Sequence, residues 1–324
     1  MNKYIVSIIC ILLAVNLLVG QDADQKVGMT GAKFLAIPVG ARAAGMGEAF
    51  TGIVDDGSAI FWNVAGIAKL DGHGLFVSNT QWPADIQFEA AAITIDVARM
   101  GKLSFNIVAM HMGQMRVRTA YQPDGTGEMF TVQSFAGGLG WAKGLTDQFA
   151  MGLNLKYIRE EFAGLVAAGW AIDVGSLYDT GWNGMKIGMS MTNFGSDIAF
   201  DGTFRKWYDL ETPGVLTRFD EYALPLTFRF GITMDVLEMG SSKIVLAADA
   251  IHPPDNKELV NLGFEMRMAQ MVALRAGYKI GVDEGGLTAG VGLNLPFMGT
   301  AIDMAYSAFG ELGNVTRISL GMNF

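Results

Sequence analysis

Cysteine occurs once in 324 residues, at Cys10. It lies in an apolar N-terminal stretch that reads as a cleaved signal, so the remaining chain has no thiol. Disulfides and thiolate metal sites are excluded, and pairing and packing must hold the fold. Charge is sparse as well: Asp, Glu, Lys and Arg make up 17% of the chain and the formal net charge is −9. That acidic balance argues against nucleic acid as a partner. Proline numbers only 8, and no low-complexity linker divides the sequence, so one continuous unit is expected. After the N-terminus no apolar run reaches the ~20 residues of a membrane helix; any membrane crossing must be made by strands.

Catalytic chemistry is also missing. The three histidines, His73, His111 and His252, are far apart, and there is no Gly-x-Ser-x-Gly elbow, phosphate loop or His-Glu-x-x-His. Asp124 to Glu128 form an acidic loop without the spacing of a calcium site, which reads as a solvated turn. Neither an enzyme nor a cofactor is expected.

What is present begins with MNKYIVSIICILLAVNLLVGQ. Lys3 supplies a positive start, Ile5 to Leu18 an apolar core and Gly20 a small residue before a cleavage point. Residues 1–20 are therefore expected to be a cleaved signal peptide that exports the chain.

From residue 73 onward, segments of about ten residues alternate in polarity and end at Gly, Asp or Asn. Met185, Ile187, Met189 and Met191 oppose Lys186, Gly188, Ser190 and Thr192. Val260, Leu262, Phe264, Met266 and Met268 oppose Asn261, Gly263, Glu265 and Arg267. Fourteen such segments are predicted, near 73–81, 86–97, 102–112, 129–141, 147–159, 166–178, 185–194, 225–235, 243–251, 258–268, 271–280, 286–295, 300–309 and 315–324. Connections after even segments are short, whereas those after the third and seventh are long, as in an outer-membrane barrel. A secreted β-sandwich also alternates, but its outer face should be rich in Lys, Glu and Thr. Here the polar face is mostly Gly, Asn and Ser, and aromatics at segment ends (Trp82, Trp141, Tyr157, Tyr278, Phe309) suit interface girdles. The expectation is an all-β fold: a fourteen-stranded antiparallel transmembrane outer-membrane β-barrel over 73–324 with a short N-terminal helical plug in 21–72, surrounded by outer-membrane lipid.

The alternation sends Lys156, Lys186, Arg229, Glu265, Arg267, Arg275, Lys279 and Arg317 into the lumen, against Asp173, Asp235, Asp249 and Asp303. Pairing with one another and with the plug is the favoured role, and guidance of a polar or amphipathic solute the alternative. Gly137 and Gly138 in the fourth segment are candidates for a lateral opening. Phe204, Arg205, Lys206, Trp207 and Tyr208 in the seventh connection form an aromatic and basic group suited to holding a partner protein.

Residues 28–72 do not alternate. Two helix-like stretches, about 41–54 and 58–70, flank Asp55, Asp56 and Gly57, and the segment is too short for a domain and too apolar for a linker. Asp55 and Asp56 are read as helix capping before Ser58. Residues 40–68, GARAAGMGEAFTGIVDDGSAIFWNVAGIA, resemble the N-terminal signature of the PorV/PorQ family, barrels related in architecture to the FadL long-chain fatty acid transporters. The signature usually has Asn-Pro-Ala-Gly where this chain has Asn63, Val64, Ala65 and Gly66, so a fixed φ is lost there. The resemblance implies a FadL-like barrel whose plug carries gate candidates Arg42, Glu48, Asp55, Asp56, Trp62 and Asn63. It further implies a part in type IX protein secretion or surface attachment, with secretion components or exported cargo as partners. The alternative is a passive channel for hydrophobic or amphipathic small molecules.

The chain ends RISLGMNF, alternating to its last residue. A barrel must close first strand on last, and Phe324 resembles an assembly signal. Deleting Phe324 should lower the yield of heat-modifiable barrel in outer membranes before it alters any transport or binding; an unchanged yield would contradict the reading.

Overall fold

The computed structural model describes residues 28–206, 214–283 and 285–324; the expected signal peptide at 1–20, together with Trp207 and Tyr208, lies outside the described residues. Fourteen antiparallel strands close on themselves. They are β1 Gly74–Trp82, β2 Ile86–Asp96, β3 Lys102–His111, β4 Val132–Gly144, β5 Phe149–Phe162, β6 Leu165–Asp179 and β7 Lys186–Gly195. The second half comprises β8 Thr227–Met239, β9 Ser242–His252, β10 Leu259–Met268, β11 Val272–Ile280, β12 Leu287–Leu295, β13 Thr300–Ala308 and β14 Asn314–Asn323. Closure pairs β1 with β14 from Gly74 opposite Asn323 to Gln81 opposite Thr316. Phe324 extends it: its N–H donates to the His73 carbonyl at 2.9 Å and its carbonyl accepts from the His73 N–H at 2.7 Å. The long connections after β3 and β7 each carry a small ribbon, Met115–Arg116 with Met129–Phe130 and Thr203–Lys206 with Val215–Arg218.

Alternation sorts the side chains as the period of 2 requires. Val77, Phe105, Leu155, Trp170, Phe230, Leu274 and Ile318 are exposed on the outside, whereas Ser104, Asn154, Asp173, Glu265 and Arg317 are buried inside. Trp141, Tyr157 and Tyr278 face outward as girdle residues should. Trp82 and Phe309 do not: Trp82 lies under the buried Arg317 guanidinium, 5.5 Å from its ring centre, and stacks edge-on with Phe309 at 5.0 Å. Both belong to the lumen rim, because an inward cation offers each ring more than the interface does.

Residues 28–72 thread the lumen. The stretch starts at the outer mouth, where the Gly31 N–H donates to the Ala223 carbonyl at 3.0 Å and Lys33 pairs with Asp255 in the β9–β10 connection. It descends to the opposite end, where Lys69 Nζ donates to the Asp147 carbonyl at 3.2 Å in the β4–β5 turn. Only fragments are helical: α1 Ala41–Gly45, α2 Ala59–Trp62 and 3-10 turns at Lys33–Ala36 and Val64–Lys69. The first expected helix, about 41–54, stops early because Gly47 and Glu48 both take positive φ, 63° and 67°.

The wall makes room for this segment with glycine. A Cβ on Gly277 would stand 2.0 Å from the Gly47 nitrogen, one on Gly188 would stand 2.1 Å from the Thr51 carbonyl oxygen, and one on Gly175 2.2 Å from Asn63 Oδ1. Gly140, Gly152, Gly231 and Gly263 meet plug atoms within 2.9 Å in the same way. Plug and wall thus touch backbone to backbone, and Ala43, Ala49, Ala59 and Ala65 are fully buried between them. Gly277→Val should push the plug off the wall while leaving the barrel closed; a planar-bilayer recording should show a raised open-state conductance, and unchanged conductance would contradict the packing described.

Candidate functional site

The centre of the plug is an ion network built on Arg42. Its Nη1 donates to Asp55 Oδ1 at 2.5 Å and Asp56 Oδ2 at 2.8 Å, and its Nε to Glu265 Oε2 at 2.9 Å. Glu265, fully buried on β10, also accepts from Arg267 Nε at 2.7 Å and Arg275 Nε at 2.6 Å, and Arg275 reaches Asp303 at 2.6 Å. Three guanidinium groups therefore meet four carboxylates, joining the plug to β10, β11 and β13. Burial opposes the Arg42 charge, but Asp55, Glu265 and Asp56 outweigh it and raise the pKa well above the ordinary arginine value. Burial likewise pushes Asp55 up, yet Arg42 and then Arg267 hold it down at about 2. Asp56 also accepts from the Ser58 N–H at 2.8 Å, closing a turn just ahead of α2, whose N-cap Ser58 makes no side-chain capping bond; Asp55 is an ion-pair residue.

Asn63 fastens the other side. Its amide donates to the Thr51 carbonyl at 3.0 Å and the Ser176 carbonyl of β6 at 2.9 Å, and its Oδ1 accepts from the Ala65 N–H at 3.2 Å. Three bonds from one side chain hold the turn that a proline would otherwise fix. Asp249 on β9 accepts the N–H groups of Phe50 and Thr51 at 3.0 and 2.9 Å, and Lys279 pairs with Glu48 at 2.8 Å.

Above these fastenings lies a cavity of about 50 Å³. Phe34, Leu35, Ile37, Phe61 and Trp62 line it from the plug, and Phe88, Val108 and Ala136 from the wall. Its polar side is a row across four strands. Asn106 donates to Asn154 at 2.9 Å, Asn154 to Asp173 at 3.0 Å, and Lys156 to Asp173 at 2.8 Å and Asn193 at 2.5 Å. Gly138 lies inside this row, where a Cβ would come within 2.7 Å of both amide oxygens. Arg229 closes one corner, its guanidinium 5.3 Å from the centre of the Trp62 ring and without a carboxylate partner within 4.0 Å among the described residues.

The wall beside this cavity is irregular. The β6–β7 register shifts between Ile172 and Val174, so Thr192 and Asn193 both stand against Asp173, and Asn193 takes φ 64°. Outside the same strands lies a lipid-facing groove of about 480 Å³ lined by Met189, Met191, Phe228, Phe230 and Ala250. Arg229 borders both spaces. The expected opening at Gly137 and Gly138 is different: both glycines are paired in register with β3 and β5, and the wall is closed there. The ladder is unbroken at both, and at Gly138 the missing side chain leaves room for the amide row.

No protein-family model and no curated protein matches the sequence. Solved structures do match. The toluene transporter TbuX of Ralstonia pickettii aligns with TM-score 0.62 and 13% identity over 88% of this chain and 98% of its own. The toluene transporter TodX of Pseudomonas putida gives 0.61 and 11% over 92% and 98%, and a Pseudomonas aeruginosa FadL homologue 0.59 and 12% over 89% and 99%. The chain has the FadL-like fold. A closed FadL-like barrel with an apolar outer face supports a place in the outer membrane.

In this FadL-like barrel the expected lumen charges are largely paired, as described for Lys156, Glu265, Arg267, Arg275 and Lys279. Lys186 sits half-buried on the lumen face, and Arg317 donates to Ser307 Oγ at 3.1 Å. The outer-loop group is partly used internally: Phe204 stacks on Phe219 at 5.0 Å and Arg205 donates to the Gly214 carbonyl at 3.1 Å. Lys206 is exposed beside them. Sequence reasoning missed Asn106, Asn154 and Asn193; the inward position of the first two in alternating strands was available as a signal, whereas alternation alone points Asn193 outward and only the register shift turns it into the lumen.

Arg42→Met should weaken plug docking by about 3–5 kcal/mol, because it strips one partner from the buried Glu265 carboxylate. Protease sensitivity of residues 28–72 measures this. Because Asp55 is depressed to about 2, from about 3.9 in an unfolded chain, its contribution is complete above that value and is lost as pH falls toward 2. Plug release should therefore rise between pH 4 and 2; a flat profile in the wild type would contradict the network.

Proposed function

We propose that this protein is a passive outer-membrane channel for small hydrophobic or amphipathic molecules, closed in the present conformation by its plug. The observation that carries the reading is a lumen cavity with one apolar and one polar side, lying back to back with an apolar lipid-facing groove across the irregular β6–β7 wall. A hydrophobic solute gains by leaving water at each stage, and an aqueous pore would serve it poorly. Arg229 and the amide row give the cavity a polar side that fits an amphipathic molecule. The toluene transporters among the structural neighbours support the same class of cargo. Movement of residues near Asn63 is required, because the cavity as it stands is smaller than the sites that hold such ligands.

The secretion reading rests on the signature at residues 40–68, and its partner surface is reduced by the internal packing of Phe204 and Arg205. Retention of secretion components on the purified protein would support it.

The channel reading is tested with a disulfide between Ala41→Cys on the plug and Ser319→Cys on β14, because the Ala41 N–H donates to Ser319 Oγ at 3.1 Å and brings the two positions together. Cys10 is the sole native cysteine, so the pair is selective. In proteoliposomes, toluene entry should stop under oxidation and return with reductant. Entry that ignores the lock, or that never exceeds empty vesicles, would contradict the proposal.

A further inference from the structure

Toward its outer end the outward surface of the barrel carries aromatic residues on seven strands and a polar panel on three adjacent ones. Near the outer end of β4 to β8 the outward residues are Phe135, Tyr157, Trp170, Phe194 and Phe228, and Tyr278 and Tyr306 hold similar places on β11 and β13. On β1 to β3 the outward residues toward that end are Asn79, Gln81, Gln87, Glu89 and His111. Gln81 faces Gln87 and Gln87 faces His111 on one row, and Asn79 faces Glu89 on the row nearer the membrane centre. Asn79, Gln81, Glu89 and His111 are exposed, Gln87 is half-buried, and none of the five side chains makes a hydrogen bond or ion pair with another described residue. Beneath them the wall is concave. Val77, Ala91, Ile107, Ile302, Ile318 and Leu320 line a groove of about 640 Å³ that Asn79 and Glu89 border.

Lipid is a poor occupant for this surface. Amides and a carboxylate lose water against acyl chains, at a cost that grows with depth. An anionic headgroup would meet Glu89 with like charge, and the panel has no Lys or Arg to receive it. A second copy offers this panel no cation from the same surface, and a two-fold axis through the panel would bring two Glu89 carboxylates together. What remains complementary is a different protein with an apolar ridge and a basic side chain.

We infer that the outer face of β1–β3 and β14 docks a separate membrane-embedded protein, which fills the groove with apolar side chains and brings a Lys or Arg to Glu89. Charge pairing at the border of an apolar contact sets register and excludes wrong partners. The surface faces away from the lumen, so the inference stands apart from the channel reading.

The test uses the full chain in its native outer membrane, with a photo-cross-linking amino acid at Ile107 and, as a control on the opposite wall, at Phe230 of β8. Position 107 should give one discrete adduct with a membrane protein, and position 230 only lipid. Glu89→Arg should lower the adduct about tenfold, with heat-modifiable barrel yield unchanged and Glu89→Asp restoring it. Once the adduct is sequenced, reversing the partner's basic residue to Glu should recover cross-linking to the Glu89→Arg chain. Lipid alone at position 107, an adduct with this chain itself, or an adduct indifferent to Glu89→Arg would each overturn the inference.

Discussion

The plug occupies the barrel by lying against a wall that has no side chains where it touches. Gly140, Gly152, Gly175, Gly188, Gly231, Gly263 and Gly277 come from seven different strands, yet each faces plug backbone or a plug side chain. A fourteen-strand barrel is too wide for inward side chains alone to fill, and a chain of small residues completes the packing. This close approach brings Asp249 within reach of plug N–H groups and Asn63 within reach of a β6 carbonyl. Without the glycines the ion network would have no fixed geometry to hold.

Charge supplies the second half of the closure. Arg42 has four hydrogen bonds to three carboxylates, and its partners extend onto the wall through Glu265. Pairs so thoroughly buried contribute less to net stability than to a defined position, because desolvation offsets much of their attraction. Their arrangement is uneven in a useful way: Asp55 and Arg267 remain about a third exposed, while Glu265 and Arg275 are sealed. Release would thus begin at Asp55, the member open to solvent, and reach the sealed pair last.

Much of the architecture was legible from alternation. Strand number, the long third and seventh connections and the closure at Phe324 follow from the period of 2 and from the absence of water in the membrane core. The lumen charges were placed by the same rule. What alternation does not encode is which polar neighbours bond across strands, since that depends on register. Asn106, Asn154 and Asp173 become one row only after three pairings are fixed. The same limit explains Gly137 and Gly138: composition marked a weak point in the wall, but the register shift occurs at Asp173 and Asn193. Trp82 and Phe309 were misassigned because a strand end is compatible with either face, and the buried cations that draw them inward are distant in sequence.

The central claim is that the space between the plug and strands β3 to β7 receives hydrophobic molecules. Crystals soaked with bromobenzene and measured at the bromine edge test it most directly. The account predicts an anomalous peak in the lumen among Phe61, Trp62, Val108 and Ala136, stronger in the Arg42→Met protein, where the plug is looser. Bromine found only on the lipid-facing surface in both proteins would contradict it.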